Sequence, residues 1–334
     1  MPFTVACAQI APKKAEVQAN LDRIGECICQ AASEGADLVV FPEAATTGYF
    51  LEGGVLESSL TAEQLCTELG GRVGGLNRPI DAVVGFYQQR VGNLYNATAY
   101  LEFVPAETSP SDSTTRPPNA RVLQTYRKFF LPTYGLFDEE RFVSRGRDLA
   151  VFDTRFGRLA MLICEDAWHS ILPTLCAMKG AQMIIVPAAS PGRGFGPGTV
   201  SSVEFQVSSP KAQGSSSEFQ VPGRESKVQS PKSKVQNPEN LDRYARLMKA
   251  IAEEHGVYCV NCQLCGFEGG KGFVGGSMVV DPFGKLVAQG PVNEEHILLA
   301  QVDFDLVQIA RAQTPLIADL QSAWGDIRRI VDED

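Results

Sequence analysis

The sequence predicts an α/β fold in which mixed β-sheets are flanked by helices. Two observations carry this expectation. Apolar runs of strand length recur along the chain with amphipathic helical segments between them. Several neighbouring runs also follow one another with no helix between, which a simple doubly wound sheet does not do.

Residues 4–10 read as a first strand. From Val17 the spacing Val17, Leu21, Ile24, Ile28, Ala31, Ala32 is helical, and Gly35 ends it. Residues 38–41 form a buried strand stopped by Pro42. A helix over 62–69 and strands over 82–86 and 95–103 follow. Residues 122–126 and 159–163 are further strands, the second entered through the turn at Phe156-Gly157. A helix over 171–179 leads to a strand at 183–186. After residue 240 the order repeats, with a helix over 241–254 and strands over 257–262, 276–280 and 298–302.

Length alone leaves one or two domains open for 334 residues, enough chain to bury a substantial core. Hydrophobic residues at 44% and charged residues at 21% give an ordinary globular balance. A net charge of −9 argues against nucleic acid as the main partner. No apolar run reaches the 18 or so residues of a membrane span. The first residues lack the basic region of a signal peptide, and nine cysteines scattered through apolar segments suit reduced thiols. The expected location is therefore cytoplasmic.

Residues 197–239 break the pattern. They are rich in Ser, Pro, Lys, Gln and Val, and Glu204-Phe205-Gln206-Val207 recurs as Glu218-Phe219-Gln220-Val221. Such short repeats with sparse apolar content predict an irregular surface insertion in a single domain spanning 1–334, with a partner-binding segment as the other reading.

Three apolar runs each end in a reactive side chain: Glu43 after residues 38–42, Lys128 after 122–127, and Cys164 after 159–163. Ligands gather beyond the carboxyl ends of strands in open α/β sheets, so such residues can converge. Taken singly, each has an ordinary reading, since a cysteine after an apolar run is often a small buried hydrophobe. The surrounding blocks say more. Val40-Phe41-Pro42-Glu43, continuing to Thr47-Gly48-Tyr49, then Tyr126-Arg127-Lys128-Phe129-Phe130-Leu131-Pro132, then Leu162-Ile163-Cys164-Glu165-Asp166-Ala167-Trp168, stand in one order. Together they resemble the Glu–Lys–Cys blocks of the nitrilase superfamily of carbon–nitrogen hydrolases. Matches from Ala8-Gln9 to Arg311-Ala312-Gln313-Thr314-Pro315 extend the resemblance over most of the chain, with 197–239 as the departure.

The resemblance implies a four-layer αββα sandwich of two mixed sheets, and hydrolysis of a non-peptide carbon–nitrogen bond through a cysteine thioester. Glu43 would be the base, Lys128 the cation that favours the thiolate and the oxyanion, and Cys164 the nucleophile. The backbone N–H of Glu165 would be a second oxyanion donor. A second carboxylate lies between the lysine and the cysteine. The segment from Tyr134 to Phe142 is similar to the glutaminase domain of glutamine-dependent NAD synthetases and puts that carboxylate at Glu139. Glu140 is the alternative, and Asp138 reads as a turn residue. Tyr134 and Trp168 would line the pocket, Ser190 matches a substrate-pocket serine, and Arg193 could pair with a substrate carboxylate.

Glu165, where nitrile-cleaving relatives carry Trp, tilts the reading from nitriles toward small amides, glutamine-like ones among them. Carbamoyl hydrolysis stays open, as does a catalytically idle scaffold that uses the 197–239 stretch. The resemblance implies no metal or cofactor, and a homodimer or larger assembly. No synthetase domain follows in the sequence, so a glutaminase would work alone or hand ammonia to a separate partner.

His169, His255 and His296 are the three histidines. His169 reads as a rim or surface residue, since its five-residue offset from Cys164 suits no helical pair. His255 precedes Gly256 at a helix end where a positive charge suits the dipole, and His296 falls in a polar loop. Cys259, Cys262 and Cys265 have the spacing of a metal motif, but the first two point to opposite faces of one strand and no fourth ligand is near. The glycines from Gly266 to Gly276 do not match a phosphate-binding loop.

Overall fold

The structure, a computed structural model, describes residues 2–51, 53–105, 119–192 and 239–333. Arg193 and all but the last residue of the 197–239 stretch lie outside the described residues. The chain runs through β1 (Phe3–Gln9), α1 (Val17–Ser33), β2 (Leu38–Val40), α2 (Ala62–Arg72), β3 (Ile80–Arg90), β4 (Asn93–Val104) and β5 (Asn119–Arg127). Next come β6 (Ala150–Asp153), β7 (Arg158–Met161), α3 (Ile171–Met178) and β8 (Met183–Ala188). From residue 239 it continues as α4 (Glu239–His255), β9 (Tyr258–Gln263), β10 (Cys265–Glu268), β11 (Lys271–Val274) and β12 (Met278–Val280). It then passes through β13 (Leu286–Gln289), β14 (His296–Val302), α5 (Asp305–Gln313) and α6 (Leu316–Asp332).

Two six-stranded sheets result, ordered β14-β1-β2-β3-β4-β5 and β13-β12-β9-β8-β7-β6, with β10 and β11 as a separate hairpin. Both sheets are mixed. β1, β2 and β3 are parallel, while β14, β4 and β5 enter antiparallel. In the second sheet β7, β8 and β9 are parallel and the edges are antiparallel. The αββα sandwich expected from the sequence is the observed architecture.

The period-two alternation of strands explains the layers. On β1, Val5 and Cys7 join the cluster that also holds Leu159, Met161 and Ile185 of the second sheet. Ala6 and Ala8 point the other way, into a cluster with Leu21, Ile24 and Ile28 of α1 and Leu65 and Leu69 of α2. On the far side of the second sheet, Leu172 and Cys176 of α3 and Met248 and Ile251 of α4 are buried. Each fully buried Leu, Ile or Val contributes about 1.5–3 kcal/mol, so both faces of both sheets favour this stacking.

Topology then aims the strand ends. Because β5 is antiparallel to β4, and β4 to β3, β5 runs in the sense of β2, and their carboxyl ends share one edge. The loop after β2 crosses over β3 at Gly85. A side chain there would sit 2.3 Å from the Pro42 carbonyl and 2.9 Å from Glu43 Cα, so a bare backbone is required for the crossing.

Several elements have no counterpart in the sequence expectation: β6, β13, the β10–β11 hairpin, α5 and α6. Two histidines are corrected. His296 opens β14 opposite Gln9 instead of lying in a loop. His255 is buried, and burial pushes its imidazole below the usual range, so it suits the neutral form and not a charge complementing the helix end.

Candidate active site

Glu43 leaves β2 on a turn whose next residue, Ala44, has φ +52°, and Thr47 and Gly48 donate backbone N–H bonds to the Ala44 carbonyl. The turn drives the Glu43 side chain into the interior, where it is 1% exposed. Lys128 follows β5 directly and is fully buried. Its Nζ donates to Glu43 Oε1 at 2.7 Å and to Glu139 Oε1 at 2.6 Å. Glu139 opens the 3-10 turn Glu139–Arg141 and is buried, whereas Glu140 and Asp138 are exposed or face Arg141 at the surface. The carboxylate beside the lysine is therefore Glu139.

Cys164 lies just past β7 with φ +47°, a left-handed backbone that costs a non-glycine residue about 1–3 kcal/mol. That kink starts the 3-10 turn Cys164–Trp168 and turns the thiol toward the first sheet. Glu43 Oε2 accepts the Ala189 backbone N–H at 3.0 Å, and the same backbone lies close enough to the Cys164 thiol to lower it. One peptide group past β8 thus holds the carboxylate of one sheet beside the thiol of the other.

A buried cation between two buried carboxylates dominates the electrostatics. Burial alone would lower the Lys128 ammonium, but Glu139 and Glu43 hold it well above the ordinary lysine range. Burial raises Glu139 above the ordinary carboxylate range against the pull of Lys128, and the like charge of Glu43 adds to the rise. At Cys164 burial and then the Glu43 carboxylate push the thiol up, while Lys128, the Tyr244 hydroxyl and the Ala189 backbone pull it down. On balance the surroundings of Cys164 favour its neutral thiol.

The remaining expected residues divide. Ser190 is buried at the end of β8, donates its N–H to Gln263 Oε1 at 3.3 Å, and leaves its hydroxyl close to Tyr244 without a hydrogen bond. Trp168 is half-buried and packs edge-on against Tyr244, with the Arg243 guanidinium over its ring at 4.9 Å. Tyr134 is 55% exposed and its hydroxyl donates to the Glu165 carboxylate at 2.9 Å, so both lie at the rim. His169 stacks on Phe130 with ring centroids 3.7 Å apart and faces Glu165. Cys259 and Cys262 lie on β9, Cys265 opens β10, and among the described residues no group of three or more ligating side chains could hold a metal.

Four residues belong to the site that the sequence reading did not single out for it. Asn96 of β4 donates Nδ2 to Glu43 Oε1 at 2.7 Å. Tyr49, quoted only as part of a motif, donates its hydroxyl to Glu139. Asp166, fully buried, accepts from Phe129 N at 3.1 Å, Phe130 N at 2.8 Å, Ile163 N at 3.1 Å and Tyr126 Oη at 2.8 Å. Tyr244 of α4 places its hydroxyl 3.1 Å from the Cys164 sulfur. Asn96 and Asp166 stand out as polar residues in apolar surroundings. Tyr244 follows the helical core spacing Leu241, Tyr244, Met248, Ile251, where a buried hydroxyl needs a partner.

Residues 4–208 and 232–312 match the carbon–nitrogen hydrolase family. The chain belongs to this family. It is a carbon–nitrogen hydrolase of the nitrilase superfamily. Relatives include the glutamine-dependent NAD(+) synthetase of Xanthomonas campestris pv. campestris, 34% identical over 190 residues that cover 56% of this chain and 31% of that protein. The enzyme of the same description from Thermotoga maritima is 26% identical over 303 residues, covering 90% of this chain and 42% of its own. This chain therefore spans less than half the length of either relative. Among solved structures, Saccharomyces cerevisiae Nit3, a member of branch 10 of the nitrilase superfamily, superposes with a TM-score of 0.66. At 21% identity over 94% of this chain and 95% of that one, the likeness is one of fold. Among the described residues no helix of this hydrolase is long and apolar enough to cross a membrane.

Proposed function

We propose that the enzyme hydrolyses a small carboxamide of glutamine-like shape through a thioester on Cys164. The observation that carries this reading is the buried Glu43–Lys128–Glu139 cluster, whose Glu43 and Lys128 charges both act on the Cys164 thiol. Glu43 takes the thiol proton as the sulfur attacks the amide carbon, and Lys128 stabilises the oxyanion together with the backbone N–H of Glu165. Collapse of the tetrahedral intermediate returns the proton to the nitrogen, and ammonia leaves. Water, deprotonated by Glu43, then attacks the thioester and releases the acid and the thiol. Glu139 fixes Lys128 and faces the departing nitrogen.

The two relatives above, both glutamine-dependent, favour a substrate that carries a carboxylate remote from the amide. Arg243, lying over Trp168 near Tyr134, is suited to that carboxylate, with Arg193, outside the described residues, as the other candidate. Residues 1–334 are read as a single hydrolase domain carrying the 197–239 insertion. A cytoplasmic homodimer or larger assembly, with a synthetase as ammonia acceptor, completes the reading.

An ammonia-release screen over amides, carbamoyl amines and nitriles tests it, with Cys164→Ala as the control. Turnover of glutamine-like amides that vanishes in the variant is expected. Equal rates on all amides would remove the substrate assignment, and an active Cys164→Ala would remove the mechanism.

A further inference from the structure

Cys164 is surrounded by groups from both sheets and from one helix. Glu43 and Tyr49 face it from the loop after β2, Lys128 from the end of β5, and Tyr134 from the rim. Among the described residues only α4 brings a side chain into hydrogen-bond range of the sulfur, the Tyr244 hydroxyl at 3.1 Å. Tyr244 is 5% exposed, and its ring is fixed edge-on against Trp168 with centroids 5.0 Å apart. The Ser190 hydroxyl and the Trp168 ring also lie beside the phenol, but the sulfur is the partner within hydrogen-bond geometry.

While the sulfur carries its proton, either atom of this contact can donate. Once the proton has passed to Glu43 the thiolate has only lone pairs, and the phenol is the one side chain on α4 able to donate to it. We infer that Tyr244 is a catalytic residue, whose O–H donates a hydrogen bond to the Cys164 sulfur as it ionises. This rests on Cys164 being the nucleophile. No proton is transferred at the tyrosine: the S–H proton goes to a Glu43 oxygen, and the phenol keeps its own. Burial and the facing sulfur hold the phenol well above its ordinary range, so Tyr244 acts as a donor and never as the base. Lys128 and the Ala189 backbone support the same charge from the other side.

Graded donor strength at one position is the test. Tyr244→Phe keeps the ring and removes the O–H, while 3-fluorotyrosine at position 244 keeps the shape with a more acidic phenol. The readouts are the iodoacetamide alkylation rate of Cys164, with Cys164→Ala as the blank, and kcat/KM for the amide from the screen. Losing a hydrogen bond to a charged group lowers the thiolate fraction, and the more basic thiolate regains about half of that on a logarithmic scale. Alkylation of Tyr244→Phe should therefore be roughly five- to fifteenfold slower. The order Phe, then Tyr, then fluorotyrosine, in both readouts, is expected. A Tyr244→Phe rate within about twofold of wild type, or a fluorotyrosine enzyme no faster than wild type, would overturn the inference. Should Tyr244→Phe fail to fold, the fluorotyrosine comparison decides alone. A Cys164→Ala enzyme that still releases ammonia removes the nucleophile and the tyrosine's role together. A dead Cys164→Ala beside an unaffected Tyr244→Phe removes only the second.

Discussion

At the scale of single residues, the cluster's chemistry depends on how one buried ammonium divides itself between two carboxylates. Glu139 sits above the ordinary carboxylate range because burial opposes its charge and Glu43 repels it, despite Lys128 beside it. The sign of the consequence is definite. Between the ordinary range and the raised one, the unfolded chain has lost a proton that the folded chain still holds, so stability falls as pH rises through that window. Glu139→Gln removes this titration. The Tm difference between wild type and Glu139→Gln should shift against the wild type as pH climbs from acid toward neutral. Glu140→Gln, at an exposed carboxylate, should leave the wild-type profile and the turnover unchanged. Glu139→Gln should lose turnover about 10²–10⁴-fold if Glu139 meets the leaving nitrogen as proposed. A pH-independent Tm difference would remove the electrostatic account of Glu139.

At the scale of elements, the site is a meeting of strand ends, and that much was legible. The apolar runs before Glu43, Lys128 and Cys164 are β2, β5 and β7, and the polar residue ending each run is where the chain turns. What pins the ends together was not legible. Asp166 ties the Cys164 turn to the residues flanking Lys128 by accepting from Tyr126, Phe129 and Phe130 while capping Ile163. Nothing in a linear pattern tells an aspartate that serves four donors from one at a solvated turn. Tyr244 is similar, since its helical spacing shows burial but not the sulfur it meets. The short strands β6 and β13 and the glycine-rich β10–β11 hairpin lack the length or alternation that a pattern requires. Asp166→Asn sets an amide N–H₂ against two or more N–H donors, and should destabilise the fold by about 1–3 kcal/mol. Thermal denaturation reads the loss, and because the variant shifts the Cys164 turn against Lys128, kcat should fall further than the fraction unfolded explains. An Asp166→Asn enzyme with wild-type Tm would show that the four bonds carry little.

At the scale of the whole molecule, Glu43 and Lys128 belong to one sheet and Cys164 to the other. The site exists only while the two inner faces are packed together. Leu38, fully buried in the cluster between the sheets, makes this testable away from the chemistry. Leu38→Ala should cost about 2–5 kcal/mol. In both wild type and variant, the urea midpoints for activity and for circular dichroism should coincide, because the residues cannot separate without parting the sheets. Activity lost well before the dichroism would place the site in a locally melting region instead.

The central claim is that Cys164 carries the acyl group between two half-reactions. Acid-quenched mixtures of enzyme and a turned-over amide, digested and read by peptide mass spectrometry, address it most directly. The account predicts an adduct on the Cys164 peptide with the mass of the substrate less ammonia, absent from Cys164→Ala and accumulating at the expense of the free thiol. Steady turnover with that peptide unmodified under every quench, or the adduct on a different residue, would contradict it.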